Sequence, residues 1–77
     1  MRTQQIKVTA IFEADGKIIP AKFRVDDVDV RVQKVLKTYE EKAFESRYVI
    51  FMCQHNGKDN YELKYDMDTF LWYLIRR

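Results

Sequence analysis

The sequence predicts an all-β fold: a five- to six-stranded antiparallel meander, folded as a bent sheet or a small SH3-like barrel. Three observations carry that expectation. Asp15-Gly16 and Asn56-Gly57, dipeptides that tolerate positive φ, each separate two segments in which apolar and polar residues alternate. Those segments are rich in Val, Ile, Tyr and Phe, the residues that fit a pleated, half-buried surface. With two Gly, one Pro and no repeat, the chain also holds nothing to serve as an interdomain linker, so residues 1–77 form one small β domain.

Each element follows in order. Read as a two-residue turn, Asp15-Gly16 pairs Phe12 with Ile19, Ala10 with Ala21, Val8 with Phe23 and Ile6 with Val25. One face of this hairpin is then apolar throughout, and a slip of one residue would scatter all eight side chains. Pro20 has no N–H to donate, so its strand must lie at an edge there or be broken by a bulge. Asp26-Asp27 turns the chain and brings Val28 and Val30 to face Val25 and Phe23.

Residues 28–46 fit two periods. Val28, Val30 and Val32 alternate as in a strand, while Val28, Val32, Val35, Leu36, Tyr39 and Ala43 also form a helical stripe. The run of β-branched Val favours the strand, with Glu40 to Arg47 as a polar connection. Asn56-Gly57 then joins a second hairpin over roughly 48–55 and 58–66, with Tyr48, Ile50 and Met52 on the side of Tyr61, Leu63 and Tyr65. A turn at Asp66-Met67-Asp68-Thr69 returns Phe70, Trp72 and Leu74 to that face, giving a three-stranded C-terminal meander.

Apolar residues make up 47% of the chain and aromatics 14%, enough to build a core rather than remain disordered. The single Cys53 can form no internal disulfide, and Met1-Arg2 opens no apolar signal stretch. No apolar run approaches the ~20 residues needed to cross a bilayer. The expectation is a soluble cytoplasmic protein with no membrane contact.

The sequence predicts no enzymatic activity, no cofactor and no metal. Cys53-x-His55 places a thiol and an imidazole on one strand face, but two ligands are too few for a closed zinc site. The cluster Asp26-Asp27-Asp29 lacks the spacing and the Gly of a calcium loop. Asp66-x-Asp68-Thr69 reads as a turn whose side chains bond their own backbone.

The order of signals resembles a known family. Gly16-Lys17-Ile18-Ile19-Pro20-Ala21-Lys22-Phe23, then Val32 to Val35-Leu36, Tyr39, Tyr61-Glu62-Leu63, and Thr69 before Trp72-Tyr73-Leu74 are similar to a pattern in short bacterial β-rich proteins, a domain of unknown function. Glu40-Glu41-Lys42-Ala43-Phe44 departs from it, because that family tends to carry further Trp and Gly residues there. The resemblance implies a bacterial β domain. It also implies a lean towards DNA-related work, since some members are associated with Y-family polymerases.

Two surfaces stand out as binding candidates. The first hairpin sets Lys7 across from Arg24 and Thr9 across from Lys22 on the face away from the core, and Arg31 can join them from the third strand. Like charges opposite one another are unfavourable unless an anionic partner neutralises them, so Lys7, Lys22, Arg24 and Arg31 are the candidate nucleic-acid contacts, with Asp29 a competing partner for Arg24. The net charge of +2 alone argues for no such partner. The second surface is the reverse of the meander, where Val49, Phe51 and Cys53 lie beside Leu71, Tyr73 and Ile75. Phe51, Leu71, Tyr73 and Ile75 are the candidate interface for a protein partner or a second copy of the chain, unless the sheet curls and makes them core.

Overall fold

Among the described residues the chain forms seven strands, not five or six. They are β1 (Arg2–Phe12), β2 (Ile18–Val25), β3 (Val28–Arg31), β4 (Lys34–Ala43), β5 (Ser46–His55), β6 (Asp59–Asp66) and β7 (Trp72–Arg76). This computed structural model describes residues 2–76. The class is all-β, one antiparallel sheet in the order β3-β2-β1-β7-β6-β5-β4, curled into a half-barrel. The segment that fitted two periods is strand on both sides of a two-residue corner.

That corner, Val32-Gln33, is where the chain leaves one half of the sheet for the other. The Val32 N–H donates to the Ala21 carbonyl at 2.9 Å and the Gln33 N–H to the Gln54 carbonyl at 3.0 Å. The chain therefore stops pairing with β2 and starts pairing with β5 within two residues. The two edge strands are consecutive in sequence, so the sheet has to curl.

The first hairpin closes differently from expectation but ends in the expected register. The Glu13 N–H bonds the Lys17 carbonyl and the Gly16 N–H bonds the Glu13 carbonyl, so Ala14-Asp15-Gly16 is a three-residue loop. Only Gly16, φ 92°, is left-handed there. An odd loop pairs Phe12 with Ile18 and Ala10 with Pro20, not with Ile19 and Ala21. A one-residue shift between Thr9 and Ala10 then restores Val8 opposite Phe23. Ala21 is the extra residue, a bulge beside Pro20, where the missing N–H does least harm.

The second hairpin reverses a sequence expectation. His55 pairs with Asp59, so Asn56-Gly57-Lys58 is a loop of odd length, with φ 55° at Asn56 and 72° at Gly57. Val49 faces Tyr65, Phe51 faces Leu63 and Cys53 faces Tyr61. Tyr48, Ile50 and Met52 accordingly point outward, opposite to the facing expected for a turn of even length. The stretch read as a polar connection is the second half of β4, and only Phe44 and Glu45 turn.

The inward face carries the core: Phe23, Val30, Val49, Phe51, Cys53, Leu63, Tyr65, Trp72 and Leu74, with Ile6, Val8 and Val25 packed against it. Aromatic rings pack within this core. Phe23 on β2 meets Tyr61 on β6 edge-on, with centroids 5.2 Å apart, and Trp72 lies 4.7 Å from Tyr65 and 5.5 Å from Phe51. Such pairs add about 0.5–1.5 kcal/mol each beyond the area they bury.

Asp66 sets the entry to β7. Its Oδ1 accepts the Asp68 N–H at 2.8 Å and the Thr69 N–H at 3.2 Å, which fixes the turn that delivers Trp72 to the core. Phe70 does not join that face; it holds φ 63° in the turn and is exposed. The N–H bond from Asp68 is the main cause that holds the Asp66 carboxyl below its ordinary value near 3.8, with Thr69 and the Lys64 charge helping against desolvation. A depressed carboxyl contributes stability that is present above the unfolded value and lost as the pH falls through the folded one. Melting curves from pH 6 to pH 2 are expected to show a steep acid limb in the native chain. In Asp66→Ala the limb becomes shallower and the Tm at pH 6 lower; identical limbs would show that Asp66 does not hold the turn.

Candidate nucleic-acid interface

Each basic side chain of the first candidate surface projects outward because its strand neighbours project inward. Lys7 lies between Ile6 and Val8, Lys22 and Arg24 flank Phe23, and Arg31 follows Val30. The ladder sets Lys7 opposite Arg24, Thr9 opposite Lys22, and Lys22 opposite Arg31. All four cations predicted from the sequence therefore share one outward face.

Arg24 is also opposite Asp29, and their charged atoms are 3.9 Å apart with both side chains half exposed. An exposed pair at that distance is worth little, roughly 0–1 kcal/mol. It leaves the field of the patch positive. Lys7, Thr9, Lys22, Arg24 and Asp29 border a shallow depression of about 110 Å³.

Pairing of the first strand with the last adds what the sequence could not supply. β1 joins β7 with Gln5 opposite Tyr73, and β7 joins β6 with Tyr73 opposite Lys64. Tyr73 lies between the inward Trp72 and Leu74, so it is on the same outward face as Lys7. The Lys64 Nζ is 4.0 Å from the centroid of the Tyr48 ring, a cation–π contact on that face. Lys64, Tyr48 and Gln5 are the members that sequence reasoning missed. No local signal marks them, because β1 and β7 are most of the chain apart.

The second candidate surface divides. Phe51 is 1% exposed and belongs to the core, where it stacks with Trp72, so it is no interface residue; Val49 and Cys53 are buried with it. The odd loop at Asn56-Gly57-Lys58 is the reason. Tyr73 and Ile75 do lie outward, opposite Lys64 and Glu62, and Leu71 is exposed just before β7. Their outward neighbours on β5 are Ile50 and Met52. Ile50 is itself 1% exposed, seated between Tyr39 and Lys64 of the adjoining strands.

The Cys53-x-His55 pair forms no joint site. Cys53 is sealed in the core, and burial pushes its thiol up to about 12. His55 Nδ1 sits 2.8 Å from the Arg31 carbonyl oxygen, tying β5 to the corner. Among the described residues no group of three or more His, Cys, Asp or Glu is placed to hold a metal ion. Asp26 and Asp27 make a turn with positive φ at both positions, and Asp26 meets Arg76 at 3.5 Å. A depression of about 540 Å³ is lined by Val25, Met52, Tyr61, Glu62, Ile75 and Arg76 among others.

No family model, curated protein or solved structure matches the chain. No helix among the described residues is long and apolar enough to cross a membrane.

Two measurements check this geometry. At pH 8 a disulfide exchange reagent is expected to leave Cys53 unmodified in the native protein and to label it fully in guanidinium; rapid native labelling would contradict the sealed core. Phe44 is wholly exposed with φ 56°, at the first position of the two-residue β4–β5 turn, where a left-handed residue is normally Gly. Phe44→Gly is expected to raise stability by about 1 kcal/mol in urea unfolding, and an unchanged or lower midpoint would show that the turn carries no strain.

Proposed function

We propose that the chain is a non-enzymatic module that binds single-stranded nucleic acid across the outward face of β3, β2, β1, β7 and β6. One observation carries the reading: Lys22 stands opposite Arg31 and Lys7 opposite Arg24, with a single half-exposed carboxylate, Asp29, among them. Like charges in facing positions lower the stability of a sheet, and a polyanion removes that cost. Tyr73, and Tyr48 on the adjoining β5 against Lys64, supply flat rings next to the cations, the combination that takes up unpaired bases without regard to sequence. From β3 to β6 the path crosses four strand spacings, roughly 19 Å, enough for a short run of nucleotides.

The module is read as an accessory protein of the bacterial cytoplasm. A single free and buried thiol suits a reducing compartment. A second reading, a protein interface, rests on a different observation: Phe12, Phe70 and Leu71 are exposed at the end of the sheet where the 66–71 turn lies.

Binding of a fluorescent oligothymidylate in a salt series separates them. Neutralising about four phosphates gives a slope of log K against log salt of roughly −3 for a single strand. Lys22→Glu with Arg24→Glu is expected to abolish binding, and Tyr73→Ala to weaken it about tenfold through lost stacking. Binding that ignores salt, or no binding at low salt, overturns the nucleic-acid reading and leaves the Phe12/Phe70/Leu71 end as the candidate interface.

A further inference from the structure

The sheet ends on β4, a strand of ten residues that pairs with β5 on one side only. Apart from Val35 and Ala43 its residues are exposed, including the inward-facing Thr38 and Glu40, so nothing of this chain covers it. A long edge strand offers a row of unpaired backbone donors and acceptors. The other open edge is blunted: Pro20 occupies the part of β2 beyond β3's reach. On β4 a bulge at Leu36 shortens the edge, but residues 37–43 continue with neither Pro nor Gly.

We propose that this edge pairs antiparallel with the same strand of a second copy, with Tyr39 opposite its own copy on the two-fold axis. The outward side chains of β4 are Lys37, Tyr39 and Glu41, opposite Met52, Ile50 and Tyr48 of β5. With the axis through Tyr39 and normal to the sheet, Lys37 of each copy meets Glu41 of the other. Centring on Glu40 would set carboxylate against carboxylate, and centring on Thr38 would set Lys37 against Tyr39 rather than against a carboxylate. Tyr39 is therefore the register in which both outward charges find the opposite sign.

The remaining charges agree with it. Neither Lys37 nor Glu41 forms an ion pair within the chain among the described residues, whereas Glu40 is already held by Arg47 at 2.9 Å. The Lys37 Nζ lies 5.4 Å from the Tyr39 ring, poised beside the axis. A single added strand pair buries less than the ~1,200 Å² of a standard stable interface, so the dimer is a weak one that forms as concentration rises.

Sedimentation equilibrium from roughly micromolar to millimolar protein tests the pairing. Glu41→Lys sets Lys against Lys twice and is expected to weaken association about tenfold or more. Adding Lys37→Glu to that variant restores opposite signs and is expected to return the constant to near its native value. Tyr39→Cys is expected to give a covalent dimer on mild oxidation, since facing Cα atoms about 4.5–5.5 Å apart fall within disulfide range. A chain that stays monomeric at every concentration, or a dimer that Glu41→Lys leaves unmoved, overturns the proposal. So does the failure of the charge swap to rescue association.

Discussion

One constraint governs this fold: side chains alternate with a period of two, so every loop of odd length or bulged residue moves a whole strand from one face to the other. Seven strands keep a common apolar face only because the irregularities are placed to agree. The odd loop at Ala14-Asp15-Gly16 shifts the first hairpin by one, and the bulge at Ala21 shifts it back before Phe23 reaches the core. A bulge at Leu36 does the same for β4, setting Val35 rather than Leu36 opposite Cys53. Leu36 is left 44% exposed, the local consequence of bringing Val35 to the core.

The bulge at Ala21 also serves the curl. Its carbonyl accepts the Val32 N–H, so the residue that corrects the register is the one that anchors the corner. Curling brings Phe23 onto Tyr61 and seals Leu63, Phe51 and Cys53 at 1% exposure or less. A flat sheet of the same strands would leave that face wet. Packing and hydrogen bonding therefore meet at one place in the chain, and the outward face is the remainder of the same alternation.

What could be read from the sequence follows from this. The all-β class, the apolar face of the first hairpin and the facing of Lys7 with Arg24 were legible because alternation over many residues outweighs any single turn. Asp15-Gly16 predicts a loop one residue shorter than the one that forms, yet the register beyond Thr9 is the expected one, because a bulge that Pro20 signals cancels the difference. At Asn56-Gly57 the same kind of difference meets no bulge, so Phe51 moves from the proposed interface to the core and Ile50 takes the outward place. Dipeptides that favour positive φ announce a turn but leave its length open by one residue, and one residue decides the face. β4 was half missed for another reason: an edge strand with both faces in water shows no apolar alternation to detect.

The outward face gains its character from long-range pairing that no local pattern encodes. Tyr73 reads as part of an apolar patch when only β5, β6 and β7 are considered. Placed next to β1, it lies diagonal to Lys7 and beside Lys64, and the patch becomes mixed aromatic and basic. In the proposed dimer, a two-fold normal to the sheet at Tyr39 would turn the outward faces of both copies in the same direction, joining their aromatic and basic surfaces across β4. Two modest surfaces held in that way would act on one strand as linked sites, the second contact forming at the high effective concentration set by the first. In the proposed assembly the weak edge pairing and the small basic patch would support one another: a nucleic-acid strand long enough to reach both copies would stabilise the dimer, and the dimer would strengthen the grip on the strand.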